Sequence, residues 1–125
     1  MEIRTIQPFL HYFGNVRERT LRVARCIPPD KLDWSYAPGK FTLGDLLRHI
    51  AVAERFVWAE SLQGHKSRYT THGKELADGY ENVLRFRGRL HAEPMRISLN
   101  SAAKTCSANA KRLAARKSQN GNGCA

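Results

Sequence analysis

A chain of 125 residues that is 42% hydrophobic and 26% charged can form one small globular domain but not two. No apolar run approaches the ~20 residues of a membrane span. Met1, Glu2, Ile3 and Arg4 lead into no uninterrupted apolar signal core, so the expected location is the cytoplasm, with no membrane partner. The formal net charge of +10 raises nucleic acid as a partner. The three cysteines, Cys26, Cys106 and Cys124, are odd in number and lack CxxC spacing, which suggests neither a disulfide framework nor a zinc knuckle.

The first predicted element is a helix from about Thr5 to Cys26. Ile6, Leu10, Phe13, Val16, Val23 and Ile27 recur at three- and four-residue steps, with Thr20 bridging the gap. Arg17, Arg19, Arg22 and Arg25 fall mostly on its other faces, and Cys26 at its end reads as packed rather than reactive. Pro28 and Pro29 stop the helix. In the connector that follows, Leu32, Trp34 and Phe41 are expected to cover one end of the core.

Thr42 and Asp45 form a capping-box-like pair that opens helix 2. Leu46, His49, Ile50, Ala53, Phe56, Val57 and Glu60 share one face, and Gly64 is placed to end the helix. Residues 64–73 read as a polar loop. Helix 3 is expected from about Lys74 to His91, with an apolar stripe of Leu76, Tyr80, Val83, Leu84 and Leu90. Pro94 is expected to end or kink it. The predicted fold class is all-α: residues 1–93 supply three helices of an up-down bundle, and residues 94–125 form a tail.

The tail differs in composition. Residues 1–93 hold 15 Lys/Arg against 11 Asp/Glu, whereas residues 94–125 hold 6 Lys/Arg, with no acid, aromatic or histidine. Ala102–Arg116 can form a basic, alanine-rich helix on propensity, and residues 118–123 read as disordered. A non-enzymatic protein that binds nucleic acid or a partner protein through this Lys/Arg-rich tail is one functional reading, although no folded nucleic-acid module accompanies it. Another reading concerns the gene. With the third base of each codon joined to the first two of the next, residues 104–125 can encode a string with acids and a Trp-x-Trp pair. The tail then reads as an out-of-frame product whose slip lies near Pro94.

Three stretches of residues 1–93 resemble the DinB-like family. They are Phe9-Leu10-His11-Tyr12-Phe13, the connector from Pro28 to Trp34, and the run from Pro38-Gly39-Lys40-Phe41 through Leu47-Arg48-His49-Ile50 to Glu54. The last is the most specific, with Phe41 where the family often has Trp. Residues 75–80 and 90–93 resemble the family's third helix. The resemblance implies a four-helix bundle holding one divalent metal, zinc or nickel, on three histidines. His49 is the ligand from helix 2, and a His-x-x-x-His pair on the last helix supplies the other two. An i, i+4 pair puts both imidazoles on one helix face, and three protein ligands leave one position open. Some relatives resemble thiol transferases, which implies a small thiol substrate for intact members, and family members often form homodimers.

This chain departs from that pattern at the decisive point, because no histidine follows His91. His65 and His72 fall in the loop, and His11 and His91 stand singly. The expectation is therefore a chain that is truncated or frameshifted relative to the family. It keeps His49 as its one metal position, has an incomplete site, has no assignable catalytic residue and is inactive as written. Glu54, five residues on, lies ~140° around the helix from His49 and reads as a surface or helix-pairing charge. His91 reads as structural, with no evident partner. Three helices are also expected to leave an apolar groove where a fourth belongs, a surface that favours self-association.

Overall fold

A computed structural model of the chain describes residues 5–120. Helix α1 spans Ile6–Arg25. A 3₁₀ turn, Pro29–Lys31, lies in the connector. Helix α2, Leu43–Ala53, runs without interruption into a π-helical segment, Glu54–Trp58, and then α3, Ala59–Leu62. Helix α4 spans Tyr80–Asn120 and packs against α1, α2, the π segment and α3. No strand occurs among the described residues, which agrees with the all-α expectation.

The start of α2 follows from its sequence. The Thr42 hydroxyl accepts from the Asp45 amide at 3.0 Å, and the Asp45 carboxylate accepts from the Thr42 amide at 3.0 Å, so two amides that the helix itself leaves unpaired are both satisfied. At the other end of the rod, the Gly64 amide donates to Ser61 O and the His65 amide to Glu60 O. The third long helix starts later than its pattern predicts. Gly79 precedes it with φ of 83°, a conformation that favours glycine, so Leu76 belongs to the preceding loop. Val83 and Leu90 are buried as expected, joined by Phe86.

Pro94 does not end this helix. Proline removes the amide that would bond to Leu90 O. The Ser98 hydroxyl adds a bond to Pro94 O at 2.7 Å, and both residues are buried. Of the segment expected to be disordered, residues 118–120 lie in α4, and residues 121–123 fall outside the described residues, as does Cys124.

Two apolar clusters form the core. Ala24, Leu32, Leu47 and Val83 make one, with Ile27 and Tyr80 against it. Ala51, Val52, Phe86 and Leu90 make the other, with Phe56 and Tyr69 against it. The buried face of α2 is therefore rotated from the predicted one: Leu47, Arg48, Ala51 and Val52 point inward, whereas Leu46 is 45% exposed. On α1, Ala24 is buried and its neighbour Val23 is exposed. Trp34 and Phe41 cover the core less than expected and are exposed, and only Leu32 of that trio is buried. Cys26 is also exposed rather than packed, with its thiol against Arg22 O.

Candidate functional site

The site grows from Arg48, whose side chain is fully buried. Gly44, one turn earlier, makes the room: a Cβ there would stand 3.2 Å from both terminal nitrogens of Arg48 and 3.0 Å from Leu32. Arg48 Nη2 donates to the Asp45 carboxylate at 2.7 Å, Nε to His72 O at 2.9 Å and Nη1 to Ala77 O at 2.9 Å. Partial burial pushes the Asp45 carboxyl up, but the bonds from Arg48 and Thr42 outweigh it and hold it below its ordinary value. The guanidinium thus ties the loop of residues 63–79 to α2 at two carbonyls.

A second anchor holds the other end of the loop. Glu60 is buried and accepts from Arg55 Nη1 at 2.7 Å, from Arg68 Nη2 at 2.6 Å and from His65 Nδ1 at 3.1 Å. Led by the bond from Arg55, these partners lower its pKa to about 2.

Between the two anchors the loop brings His72 to His49. The Tyr69 hydroxyl lies 2.8 Å from His49 Nδ1 and 2.8 Å from His72 Nδ1. The two imidazole centroids are 5.9 Å apart, and the Phe41 ring lies 4.2 Å from His72 and 5.5 Å from His49. Tyr69 and both histidines are half-buried. A phenol has one proton, so it donates to one Nδ1 and accepts from the other. With both rings neutral, the ring that accepts carries its own proton on Nε2, and the ring that donates leaves Nε2 as a bare lone pair. The bridge therefore imposes unlike tautomers on the two histidines.

The remaining histidines lie elsewhere. His11 is exposed, and His65 is bound to Glu60. His91 is buried and has a partner after all: the Glu54 carboxylate, from the start of the π segment, bonds its Nδ1. Phe13 lies 5.4 Å from the same imidazole. Glu54 is thus a helix-pairing charge and supplies the partner that spacing alone could not identify for a residue 37 positions away.

An implied three-histidine metal centre can be tested against these donors. His49 stands on α2, but no His-x-x-x-His pair exists to meet it. His72 is the one further imidazole near it, and the Tyr69 hydroxyl occupies the space between the two Nδ1 atoms. Among the described residues, no group of three or more His, Cys, Asp or Glu side chains is placed to hold a metal ion. The donor set does not fit the three-histidine centre that the resemblance implies.

Fold and site together define an all-α helical-bundle protein with charged and polar side chains set into its interior. The chain belongs to the DinB superfamily, whose family model matches residues 12–117 on both sides of Pro94. No curated protein and no solved structure matches it. Among the described residues, no helix is long and apolar enough to cross a membrane.

Proposed function

We propose that this chain is a DinB-superfamily protein that keeps only His49 of the implied metal centre, with the loop residue His72 beside it as a second imidazole. It binds zinc or nickel weakly and does not perform the metal-dependent thiol transfer or hydrolysis implied for intact relatives. The observation that carries this reading is the Tyr69 hydroxyl held 2.8 Å from both Nδ1 atoms. A metal between the rings must displace that hydroxyl and shift one ring proton from Nδ1. A metal outside them meets only one bare Nε2. Either route gives fewer ligands than the three or four of a tight zinc site.

The test compares variants. Zinc affinity is expected to fall in both His49→Ala and His72→Ala. Undiminished affinity in His72→Ala overturns the two-imidazole reading and leaves His49 alone.

A second reading is supported by the exposed Lys104, Lys111 and Arg112 on α4. With the exposed Arg96, they belong to a basic tail suited to nonspecific binding of nucleic acid or an acidic partner protein. Salt-sensitive binding of a DNA duplex that disappears when residues 95–125 are deleted is the expected sign of it, and salt-independent binding contradicts it.

A further inference from the structure

A groove of about 530 Å3 opens between α1 and the rod that begins with α2, within the ~300–1,000 Å3 typical of small-molecule sites. Phe13 and Val16 line it from α1, Ile50 from α2 and Trp58 from the π segment, with the Phe13 and Trp58 rings 4.9 Å apart. None of these residues belongs to the His49–Tyr69–His72 cluster. One polar side chain of α4 also lines the groove: Arg87, which is only 3% exposed. Its Nε and Nη1 are buried and have no hydrogen-bond partner among the described residues.

Unpaired buried guanidinium nitrogens are costly, because water has been removed and nothing replaces it. Burial lowers the Arg87 pKa and the Glu54 charge raises it, but a guanidinium keeps its proton. Glu54 also lines the groove and one of its oxygens is bonded to His91, but it makes no hydrogen bond to the two unpaired Arg87 nitrogens. Arg17, at the same groove, adds a second positive charge. The lining therefore combines an apolar, partly aromatic wall with two guanidinium charges against one carboxylate, and its complement is an anion with an apolar body.

We propose that this groove binds a small carboxylate carrying an aryl or alkyl body: the carboxylate pairs with Arg87, and the body lies on Phe13, Val16, Ile50 and Trp58. A carboxylate suits the site because it offers acceptor oxygens to a guanidinium in a water-poor setting. An apolar body of that size replaces water over the rings.

The experiment uses the full chain carrying Trp34→Phe, so that Trp58 is the sole tryptophan reporter. It compares 4-phenylbutyrate with 4-phenylbutanol, which share a body and differ in charge. The expected result is saturable, one-to-one binding of the carboxylate, about tenfold tighter than the alcohol. In Arg87→Met, carboxylate affinity is expected to drop to that of the alcohol. Equal affinities in the unsubstituted groove overturn the proposal, and that comparison stands even if the Arg87 variant does not fold. Binding of neither probe also overturns it.

Discussion

Arg48 and His72 are joined by a bond of 2.9 Å from the guanidinium Nε to the backbone carbonyl. Arg48 immediately precedes His49, the position that the family resemblance implies as a metal ligand, and its own side chain is buried in the core. Its partner belongs to the residue whose imidazole meets His49 through Tyr69. A buried charge on α2 thus decides where the second histidine stands.

Arg48→Met should therefore do more than destabilise. Three hydrogen bonds disappear, and two loop carbonyls and a carboxylate lose their donor, at a cost of about 2–4 kcal/mol. Denaturant unfolding should show this, and amide exchange should be faster through residues 70–79. Unchanged exchange in that loop contradicts the role given to Arg48.

Gly44→Ala tests the room beneath the same side chain. The added methyl meets Leu32 and both terminal nitrogens of Arg48 at 3.0–3.2 Å, and the overpacking should cost roughly 1–3 kcal/mol. At Gly14, where nothing lies within 4 Å of an added Cβ, alanine should instead be neutral or stabilising, because helical propensity improves. Thermal melts of the two variants should move apart accordingly.

Acid should loosen the far end of the loop through Glu60. Its folded pKa of about 2 lies below its ordinary 4.5. The stabilisation is therefore fully present above the ordinary value and is lost as pH falls toward 2. Glu60→Gln should lower the melting temperature at pH 7 and flatten the dependence on pH between about 4.5 and 2. A variant that keeps the parent's slope across that window would show that the three basic partners do not act through this carboxylate.

The Tyr69 bridge makes a spectroscopic prediction. Nitrogen-15 spectra at a pH where both rings are neutral should show His49 and His72 in opposite tautomers. Tyr69→Phe should abolish the constraint. Like tautomers in the parent chain contradict a bridge through one hydroxyl.

Residues whose partners are close in sequence were the legible ones. Thr42 and Asp45 announce their capping box three residues apart, and Pro38-Gly39 with the run to His49 marks the family's helix 2. Arg48 was missed as a core residue because arginine ordinarily stays at the surface; Gly44 and Asp45 on the preceding turn were the available signal. The sequence places His72 only in a loop and gives His91 no partner, because the Tyr69 bridge reaches His49 across 20 residues and Glu54 lies 37 residues from His91, separations that periodicity does not register. The inner face of α2 and the π segment after it both pack against α4, and no local pattern in the sequence marks either.

The composition of the tail permits a genetic test of the out-of-frame reading. It predicts that the codons for Asn120 and Asn122 end in T, since only then does each, read with the following glycine codon, yield tryptophan. Codons ending in C contradict it.

The proposal that His49 holds no tight metal centre is tested most directly by an equilibrium zinc competition on the full chain against a chelator of micromolar affinity. The two-imidazole account predicts that the chelator keeps the metal, with a protein Kd weaker than about 1 µM. Stoichiometric, submicromolar binding by this chain would contradict it.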